Sequence, residues 1–510
     1  MSREDRARPG YPAFVPVRKQ SRVFMGAKRE TVTLIGAGLA GSLLAIFLAR
    51  RGFRVEVYEK RPDIRHESAG AGQASHADQA SQGGQASQAG QPSQAGQAGQ
   101  AGRSINLAMS VRGLHALGLV GLRDEVLAMA IPMVGRLIHP VEGDRVLQPY
   151  GQREDEVIFS VSRGELNRFL LDAAEREDGV RLHFNARCTG LEFRTGVLYV
   201  RDDATNHVHS LRPDRVIGVD GSASAIRTAM MNVGRFDLSQ QYLTHGYKEL
   251  TIPAGPDGAY RMERNALHIW PRGMYMLIAL PNLDGSFTCT LFFPHEGEYS
   301  FASLLDPRQI LDFFKMQFPD ATALMPDLAT LYRDNPTGSL VTLKCSPWHY
   351  RDRVLLLGDA AHAIVPFFGQ GMNCAFEDCT ILDECIESHW PDWGSVFESF
   401  GRRRKKDTDA IADMALANYV EMRDLVSDPG FQLRQKVGFL LEQKYPDRFI
   451  PRYSMVSFHR FPYSEALHCG EIQEGILREL CASISTADQV DWNMAERLVG
   501  ERLGAQVTPG

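Results

Sequence analysis

The chain of 510 residues lacks most features that would place it in a special class of protein. Its 8 cysteines contain no Cys-x-x-Cys pair, so we expect neither a disulfide scaffold nor a bound metal. No apolar run reaches the roughly 18 residues that a membrane span requires, and no segment is typical of a signal peptide. A formal net charge of −6 offers no basic surface for nucleic acid. The sequence therefore predicts a soluble, cytoplasmic protein whose main partner is not nucleic acid.

Two segments contain too few apolar residues to form a core. Residues 1–29 are rich in arginine and are predicted to be a disordered leader, within which Met25 is an alternative start. Residues 68–102 are almost entirely Ala, Gly, Gln and Ser, so burial cannot offset their conformational entropy. Because the entropic cost of a loop grows slowly with its length, we predict a flexible surface insertion inside a domain. The alternative is a loop that covers a ligand or recruits a partner.

A glycine-rich turn joins the first predicted strand, residues 31–35, to the first predicted helix. Gly36 permits the tight turn, Gly38 lets a pyrophosphate approach the backbone, and Gly41 lets the helix pack against the strand. Phosphate charge would lie at the helix N-terminus, where free N–H groups and the dipole favour an anion. Glu59 ends the second predicted strand, where it can bind a ribose diol and disfavours a 2′-phosphate. The unit predicts FAD or NAD rather than NADPH.

Two later strand ends favour FAD over NAD. The predicted strand 353–357 is followed by Gly358 and Asp359, a loop, and a helix that begins near Gly371. The Asp359 carboxylate can accept hydrogen bonds from ribityl hydroxyls, and the helix dipole can stabilise the negative charge of a reduced flavin. A third predicted strand ends at Asp220. Any one piece also occurs in ordinary α/β sheets, but the three in this order predict FAD.

The three motifs resemble the fingerprints of the single-component FAD aromatic hydroxylases, whose fold is typified by p-hydroxybenzoate hydroxylase. Within that class the chain is similar, from about residue 31 to about residue 460, to the kynurenine 3-monooxygenase family. The most specific stretches are Arg103–Ala108, Tyr247–Pro253, Leu267–Pro271, Val365–Asn373 and Asn418–Arg423. The resemblance implies an α/β fold with a Rossmann-like FAD-binding domain, a substrate domain built on an antiparallel sheet, and a helical C-terminal region.

The resemblance also implies a reaction. Tightly bound FAD would be reduced by NADPH, a transient reductant, and O₂ would then form a flavin C4a-hydroperoxide. This species would hydroxylate L-kynurenine to 3-hydroxy-L-kynurenine, a reaction of tryptophan catabolism and pyridine nucleotide biosynthesis. No second Rossmann motif locates NADPH. Because the flavin carries the chemistry, no side chain is predicted to be catalytic, and His362 is interpreted as a structural histidine.

Two sets of contact residues follow. The FAD set combines the glycine turn with positions implied by the resemblance: Gly36, Gly38, Ala40, Gly41, Tyr58, Glu59, Lys60, Arg61, Ala108, Arg163, Cys188, Asp359, Met372 and Asn373. The substrate set is implied by the resemblance alone: Arg136, Tyr150, Asn418, Glu421 and Tyr453. A guanidinium suits the carboxylate of kynurenine, and tyrosine hydroxyls add neutral hydrogen bonds. Pro366, Phe367 and Phe368 are expected to form a dry wall beside the flavin.

The same landmarks predict domain boundaries. The FAD-binding domain is assigned residues 30–130, 155–235 and 340–400, and the substrate domain residues 131–154 and 236–339. Strands at 267–270, 274–279 and 287–293 are expected to form the antiparallel sheet. The C-terminal region, 401–505, is predicted to be helical, with Arg402–Lys406 as a solvated helix face.

Two alternative functions stay open at this point. A related flavin hydroxylase or epoxidase acting on another substrate would keep the FAD motifs and lose the substrate set. A non-catalytic flavin-binding protein would use the Gln-, Ala- and Gly-rich insertion for interactions with partners.

Overall fold

The computed structural model describes residues 30–66, 106–426 and 428–504. The predicted leader, the alternative start at Met25, the insertion at 68–102 and the beginning of the Arg103–Ala108 stretch lie outside the described residues. The strands of the described part are β1 (Thr31–Ile35), β2 (Arg54–Tyr58), β3 (Asn106–Met109), β4 (Ile131–Met133), β5 (Gly135–Ile138), β6 (Val146–Pro149), β7 (Ile158–Ser162), β8 (Val180–His183), β9 (Ala186–Glu192), β10 (Val197–Asp202), β11 (Val208–Leu211), β12 (Arg215–Gly218), β13 (Asp237–Ile252), β14 (Ala266–Pro271), β15 (Met276–Pro281), β16 (Phe287–Pro294), β17 (Gly338–Ser346), β18 (His349–Tyr350) and β19 (Val354–Leu356).

The α-helices of the same part are α1 (Leu39–Arg50), α2 (Val111–Leu119), α3 (Arg123–Ala128), α4 (Arg163–Glu175), α5 (Ala225–Met230), α6 (Pro307–Gln317), α7 (Pro319–Thr322), α8 (Leu328–Asp334), α9 (Gly371–His389), α10 (Trp393–Val420), α11 (Pro429–Lys444), α12 (Arg452–Ser457), α13 (Tyr463–Cys481) and α14 (Trp492–Arg502). A π-helical turn, Glu421–Leu425, continues α10. Within the described ranges, no helix has the length and apolar character needed to cross a membrane.

A six-stranded sheet holds the three FAD motifs at one edge. Its order is β18-β19-β12-β1-β2-β8, and β19, β12, β1 and β2 run parallel. Val32 and Leu34 of β1 are fully buried, as expected for a strand covered on both faces. Because parallel strands end at the same edge of a sheet, the turns after β1, β12 and β19 meet there. Gly36, Asp220 and Gly358 are thereby brought together.

A seven-stranded sheet of order β17-β13-β16-β15-β14-β5-β6 forms a second layer. The three runs predicted to form an antiparallel sheet are its strands β14, β15 and β16, so this prediction is confirmed. One face packs with α6 and α8 around Phe287 and Phe293. The other face presents Ile269 and Phe292 to the aromatic residues that precede α9. Arg136 of the predicted substrate set belongs to β5 of this sheet.

Two strands cross the predicted domain boundaries. β4 pairs with β7 and joins β3 in a three-stranded sheet, although the boundary at residue 131 separates β4 from both. β17 pairs with β13 in the seven-stranded sheet, although residues from 340 onward are assigned to the other domain. Strand pairing over such distances is decided by tertiary packing, which the local pattern does not reveal. The other predicted domain boundaries stay predictions. Strands β9, β10 and β11 form a further, three-stranded sheet.

The C-terminal region is helical, as predicted, and α11, α13 and α14 share a core around Leu441, Ile476 and Leu498. The predicted solvated face Arg402–Lys406 is wrong at Arg404, which is 2% exposed and ion-paired inside the protein. A run of five residues covers more than one full turn of a helix, so one member of a basic run can face inward.

Candidate active site

The glycine turn after β1 has room for a ligand at one of its three glycines. Gly36 has a φ of +108°, and a Cβ there would lie 2.5 Å from the carbonyl oxygen of Val219. A Cβ at Gly41 would lie 2.0 Å from the carbonyl oxygen of Gly36, so the packing of the chain itself requires both glycines. A Cβ at Gly38 would meet no described atom within 4 Å. No side chain caps α1 at Gly38, so its first N–H groups are available to a pyrophosphate.

The carboxylate of Glu59 adjoins this turn at the end of β2. It is buried and accepts hydrogen bonds from the N–H of Ala37 at 2.8 Å and from the N–H and Nε of Arg61 at 3.0 and 2.9 Å. Burial alone would raise the pKa of Glu59, but the Arg61 guanidinium and these N–H groups hold it below its usual value. Glu59 is therefore an ionised acceptor, which suits ribose hydroxyls. Tyr58 and Lys60 flank it in the chain.

The turn after β19 exposes a carboxylate beside the glycine turn. A Cβ at Gly358 would lie 3.8 Å from that of Ala40, so the two turns touch. Asp359 is exposed and has no hydrogen-bond partner among the residues described. Removal from bulk water raises the pKa of Asp359 above its usual value, and the charge of Arg163, which begins α4 and is also exposed, opposes that rise. A ribityl chain would find both an acceptor and a donor here.

The first turn of α9 is held by the side chain of Asn373. Its Oδ1 accepts from the N–H of Ser110 at 2.9 Å, and its Nδ2 donates to the carbonyl oxygens of Ala108 and Gly369, both at 2.8 Å. Both N–H bonds of the amide are used, so the side chain of Asn373 has no donor left for FAD, whereas its backbone N–H in the first turn of α9 can donate. No side chain caps α9, and the N–H groups of its first turn, including that of Met372, are available to a flavin.

Cys188, the last member of the predicted FAD set, lies on β9 near Asp220. Burial raises the pKa of its thiol to about 12, so the group is uncharged, and its Sγ lies 4.0 Å from the carbonyl oxygen of Gly190. Asp220 has the more polar position. Its Oδ2 accepts from the N–H of Ala225 at 2.7 Å, whereas its Oδ1 is buried without a hydrogen-bond partner in the described part of the chain. Asp220 was not in the predicted set, although its place at a strand end pointed to it.

Four members of the predicted substrate set meet at one point. Arg136 lies on β5 and Tyr150 directly follows β6. Glu421 begins the π-helical turn that continues α10, and Tyr453 lies on α12. Nη1 of Arg136 lies 3.1 Å from Oε1 of Glu421. The guanidinium carbon lies 5.7 Å from the ring centre of Tyr150 and 5.4 Å from that of Tyr453. The two rings stack with their centres 5.2 Å apart. We call this group the Arg136 cluster.

The Arg136 cluster contains polar atoms that the protein leaves unpaired. Nε of Arg136 and the hydroxyl of Tyr150 are buried and have no hydrogen-bond partner among the described residues. Burial raises the pKa of Tyr150 well above its usual value, so its hydroxyl is neutral and can donate. Because a buried donor without a partner is costly, these atoms indicate a ligand that accepts hydrogen bonds. A carboxylate has the required chemistry.

Asn418, the fifth member of the substrate set, supports an aromatic wall. Its Nδ2 donates to the carbonyl oxygen of Phe367 at 2.6 Å. The ring of Phe367 stacks on Tyr419 with centres 4.2 Å apart and contacts Phe292 at 4.8 Å. The sequence prediction missed both of these neighbours. Tyr419 directly follows Asn418 in a family-specific stretch, which could have indicated it, but Phe292 lies inside an apolar strand with no distinguishing signal.

The wall connects the FAD motifs to the Arg136 cluster. Phe367 and Phe368, which precede α9, are each 6% exposed, as the predicted dry wall requires, whereas Pro366 is exposed. Phe368 stacks on Tyr453 with ring centres 5.4 Å apart. The loop that leads into α9 is therefore in direct contact with a residue of the substrate set.

Comparisons with known domains and folds agree with this arrangement. A family model described as an NAD(P)-binding Rossmann-like domain matches residues 34–77, and one described as an FAD binding domain matches residues 343–395. Among solved structures, 2-methyl-3-hydroxypyridine-5-carboxylic acid oxygenase has a TM-score of 0.58 at 20% identity, over 79% of this chain and 95% of that chain. PqsL, a probable FAD-dependent monooxygenase from Pseudomonas aeruginosa, has a TM-score of 0.55 at 19% identity, over 78% and 97%. They confirm the predicted fold class.

Similarity to three further proteins extends over nearly the whole chain. The kynurenine 3-monooxygenase of Myxococcus xanthus is 51% identical over 478 residues, which cover 94% of this chain and 96% of that protein. The kynurenine 3-monooxygenase of Salinispora arenicola is 42% identical over 94% of this chain and 99% of that protein. The one of Xanthomonas axonopodis pv. citri is 44% identical over 93% and 97%. The chain therefore belongs to the kynurenine 3-monooxygenase family.

Proposed function

We propose that this protein uses FAD, NADPH and O₂ to hydroxylate L-kynurenine to 3-hydroxy-L-kynurenine. The observation that carries the proposal is the Arg136 cluster, with its buried unpaired donors, placed against the wall that leads into α9. The relatives over nearly the whole chain are named for this reaction.

The charges of the cluster complement the amino-acid head of kynurenine. The carboxylate of the substrate would accept hydrogen bonds from Nε of Arg136 and the hydroxyl of Tyr150, the two unpaired donors. Its ammonium would approach Glu421, which is partly exposed. The ion pair of Arg136 and Glu421 carries no net charge, and a zwitterion adds none. Binding therefore leaves no uncompensated charge inside the protein.

The aniline ring would lie against the aromatic wall. Phe367 and Phe368 would exclude water from the reacting carbon, and Asn418 holds the backbone of Phe367 in place. The amino group of the ring activates its ortho carbon, so hydroxylation at C3 needs little acid–base assistance. The neutral hydroxyl of Tyr150 serves binding and orientation rather than proton removal.

FAD fits the residues at the edge of the six-stranded sheet. When bound, FAD would supply the redox chemistry of hydride acceptance and oxygen activation. Gly38 and the N-terminus of α1 would hold its pyrophosphate, Glu59 its ribose and Asp359 its ribityl chain. The N–H groups at the start of α9 would favour negative charge on the flavin pyrimidine. Glu59 would repel the 2′-phosphate of NADPH, so NADPH would bind at a different place on the protein.

We further propose that the protein works in the cytoplasm. All 8 of its cysteines are free thiols, most of them buried, which suits a reducing compartment.

Kynurenine-stimulated oxidation of NADPH tests the proposed function. The purified flavoprotein should oxidise NADPH faster when L-kynurenine is added, and 3-hydroxy-L-kynurenine should accumulate. The matched control is 2-aminoacetophenone, which keeps the activated ring and lacks the amino-acid head, so it should stimulate little. Equal stimulation by both compounds would favour a hydroxylase for another aromatic substrate. Flavin binding without any stimulation would contradict a catalytic role.

A further inference from the structure

A buried carboxylate holds the turn that is proposed to bind the ribityl chain. Asp378 of α9 is fully buried, and its Oδ2 accepts from the backbone N–H of Gly358 at 3.1 Å and from Nε2 of His362 at 2.6 Å. Gly358 and His362 are the two ends of the turn that contains Asp359, and the N–H of His362 donates to the carbonyl oxygen of Gly358 at 2.9 Å. One carboxylate oxygen therefore fixes both ends of this turn.

The neighbouring carboxylate, Glu377, is connected to the helix that carries Tyr453. Its Oε1 lies 2.5 Å from Nη1 of Arg112 in α2. Arg112 is 2% exposed and also donates to the carbonyl oxygens of Val456, at 3.0 Å, and of Phe461. Val456 belongs to α12, as does Tyr453. Arg112 thus ties the substrate-binding helix to α9.

Arg404 of α10 joins the two carboxylates. Its Nε donates to Oδ1 of Asp378 at 2.7 Å, and its Nη1 donates to Oε2 of Glu377 at 2.7 Å. Its Nη2 lies 3.2 Å from Sγ of Cys374, near the start of α9. A planar guanidinium can serve both carboxylates at once, which a lysine ammonium cannot do with the same geometry.

A metal ion is an alternative occupant of part of this network. Ligand atoms of His362, Cys374 and Asp378 lie within 4.8 Å of one another. Nε2 of His362 lies 2.6 Å from Oδ2 of Asp378, so these two ligand atoms are already paired with each other. Asp378 also accepts from Arg404 and Gly358, so both of its oxygens are already hydrogen-bonded. The group is an ion-paired network rather than a metal site.

We propose that Arg404 is a positioning residue for the hydroxylation. Through Asp378 it fixes the turn at the flavin, and through Glu377 and Arg112 it fixes the helix of Tyr453 at the substrate. The inference rests on the proposed function, which assigns flavin and substrate to these two elements. A misplacement of reacting groups by about 1 Å is enough to slow a reaction on the order of a hundredfold, so a shared support for both elements has direct consequences for oxygen transfer.

Arg404→Lys tests this role because it keeps the positive charge and removes the guanidinium fork. We expect the variant to bind FAD with shifted visible absorption bands and a Kd for FAD raised roughly tenfold. Kynurenine should still stimulate NADPH oxidation, but the yield of 3-hydroxy-L-kynurenine per NADPH should fall several-fold, with hydrogen peroxide making up the difference. Added guanidinium should restore part of the yield in Arg404→Ala.

Arg51→Lys is the matched control. Arg51 is also 2% exposed and forms ion pairs with two carboxylates of α9, Asp383 at 2.7 Å and Glu387 at 2.9 Å, but near the other end of the helix. The proposal expects its flavin spectrum, Kd for FAD and product yield to match those of the unsubstituted protein. Equal changes in Arg51→Lys and Arg404→Lys would overturn the proposal, since general anchoring of α9 would then explain both.

His362→Gln tests only the support of the turn that is proposed to bind the flavin. It remains a test of the proposal if Arg404→Lys does not fold. It replaces the charged ring, and its hydrogen bond to Asp378, by an amide that can donate at most a neutral hydrogen bond, and it leaves both carboxylates paired with Arg404. The Kd for FAD should rise and the flavin spectrum should shift, with the KM for kynurenine nearly unchanged. A normal spectrum and Kd in His362→Gln would overturn the proposal. Failure of the proposed function would appear separately, as a lack of kynurenine stimulation in the unsubstituted protein.

Discussion

Nη1 of Arg136 lies 3.1 Å from Oε1 of Glu421, although 285 residues separate them in the chain. The rings of Tyr150 and Tyr453 lie within 6 Å of the same guanidinium, at 5.7 and 5.4 Å. In the protein without substrate, the charges of Arg136 and Glu421 compensate each other. An amino-acid zwitterion could place its carboxylate near Arg136 and its ammonium near Glu421. Recognition of the substrate head therefore depends on both members.

Replacing Arg136 with alanine should weaken kynurenine binding and leave FAD bound. A hydrogen bond to a charged group contributes about 1.5–3 kcal/mol, so the KM for kynurenine should rise roughly 10- to 150-fold. Steady-state kinetics and the flavin absorbance of the purified variant measure the two effects. Arg153→Ala is the control, because it removes an exposed arginine paired with Glu156, and it should change neither quantity. Loss of FAD from Arg136→Ala would show that the residue is misassigned.

Glu421→Gln should weaken binding of substrates that carry an α-ammonium group and leave binding of those without it unchanged. Glutamine keeps the shape of the side chain and removes its charge, so the KM for L-kynurenine should rise about tenfold. The analogue of kynurenine that lacks the α-amino group should bind the variant and the unsubstituted protein similarly. The measurement is the ratio of the KM values for the two compounds, determined in the variant and in the unsubstituted protein. An equal rise for both would mean that Glu421 acts solely by orienting Arg136.

Gly38→Ala should weaken FAD binding without unfolding the protein. The backbone at Gly38 has a φ of −72°, which alanine adopts easily, and the added methyl group would enter the space left open for the pyrophosphate. Gly41→Ala should instead destabilise the fold, because its Cβ would lie 2.0 Å from the carbonyl oxygen of Gly36. Thermal unfolding of the two apoproteins and fluorescence titration with FAD separate these effects. Normal FAD affinity in Gly38→Ala would contradict the placement of the pyrophosphate.

The ion pair of His362 and Asp378 should make stability fall at alkaline pH. Burial lowers the pKa of His362, but Asp378 and Cys374 outweigh it and raise the pKa from 6.5 to about 10. The stabilisation is therefore complete below the unfolded-state pKa of 6.5 and is lost as pH rises through about 10. This group should lower the free energy of unfolding by up to about 1.4 kcal/mol per pH unit in that window.

Urea unfolding across this pH window measures the effect of the histidine. The slope of unfolding free energy against pH should be smaller in His362→Gln, since glutamine does not titrate. Identical slopes in the two proteins would contradict a protonated His362 in the folded state.

The FAD motifs could be predicted from the sequence because each of them is local. Gly41 is required where α1 packs against the turn that precedes it, and the turn itself gives Gly36 a φ of +108°, which favours glycine. Asp359 and Asp220 each follow their own buried strand. Parallel pairing then brings the turns to one edge of the sheet by a general rule, without any further information from the sequence.

The substrate cluster could not be derived in this way, because its members lie on elements that only tertiary packing brings together. Arg136 and Glu421 carry no local signal, and only the resemblance to a family indicated them. Arg404 was predicted to face solvent for the same reason, since its carboxylate partners lie on another helix. The side chain of Asn373 is likewise engaged by backbone groups of a distant strand. Sequence patterns therefore do not reveal which residues pair with a buried polar side chain.

Isotope labelling tests the proposed hydroxylation most directly. Reaction of the flavoprotein with NADPH and L-kynurenine under oxygen-18 gas should yield 3-hydroxy-L-kynurenine whose new hydroxyl oxygen carries the label. One molecule of NADPH should be consumed for each molecule of product. An unlabelled product, or labelled hydrogen peroxide with no hydroxylated kynurenine, would contradict the proposed function.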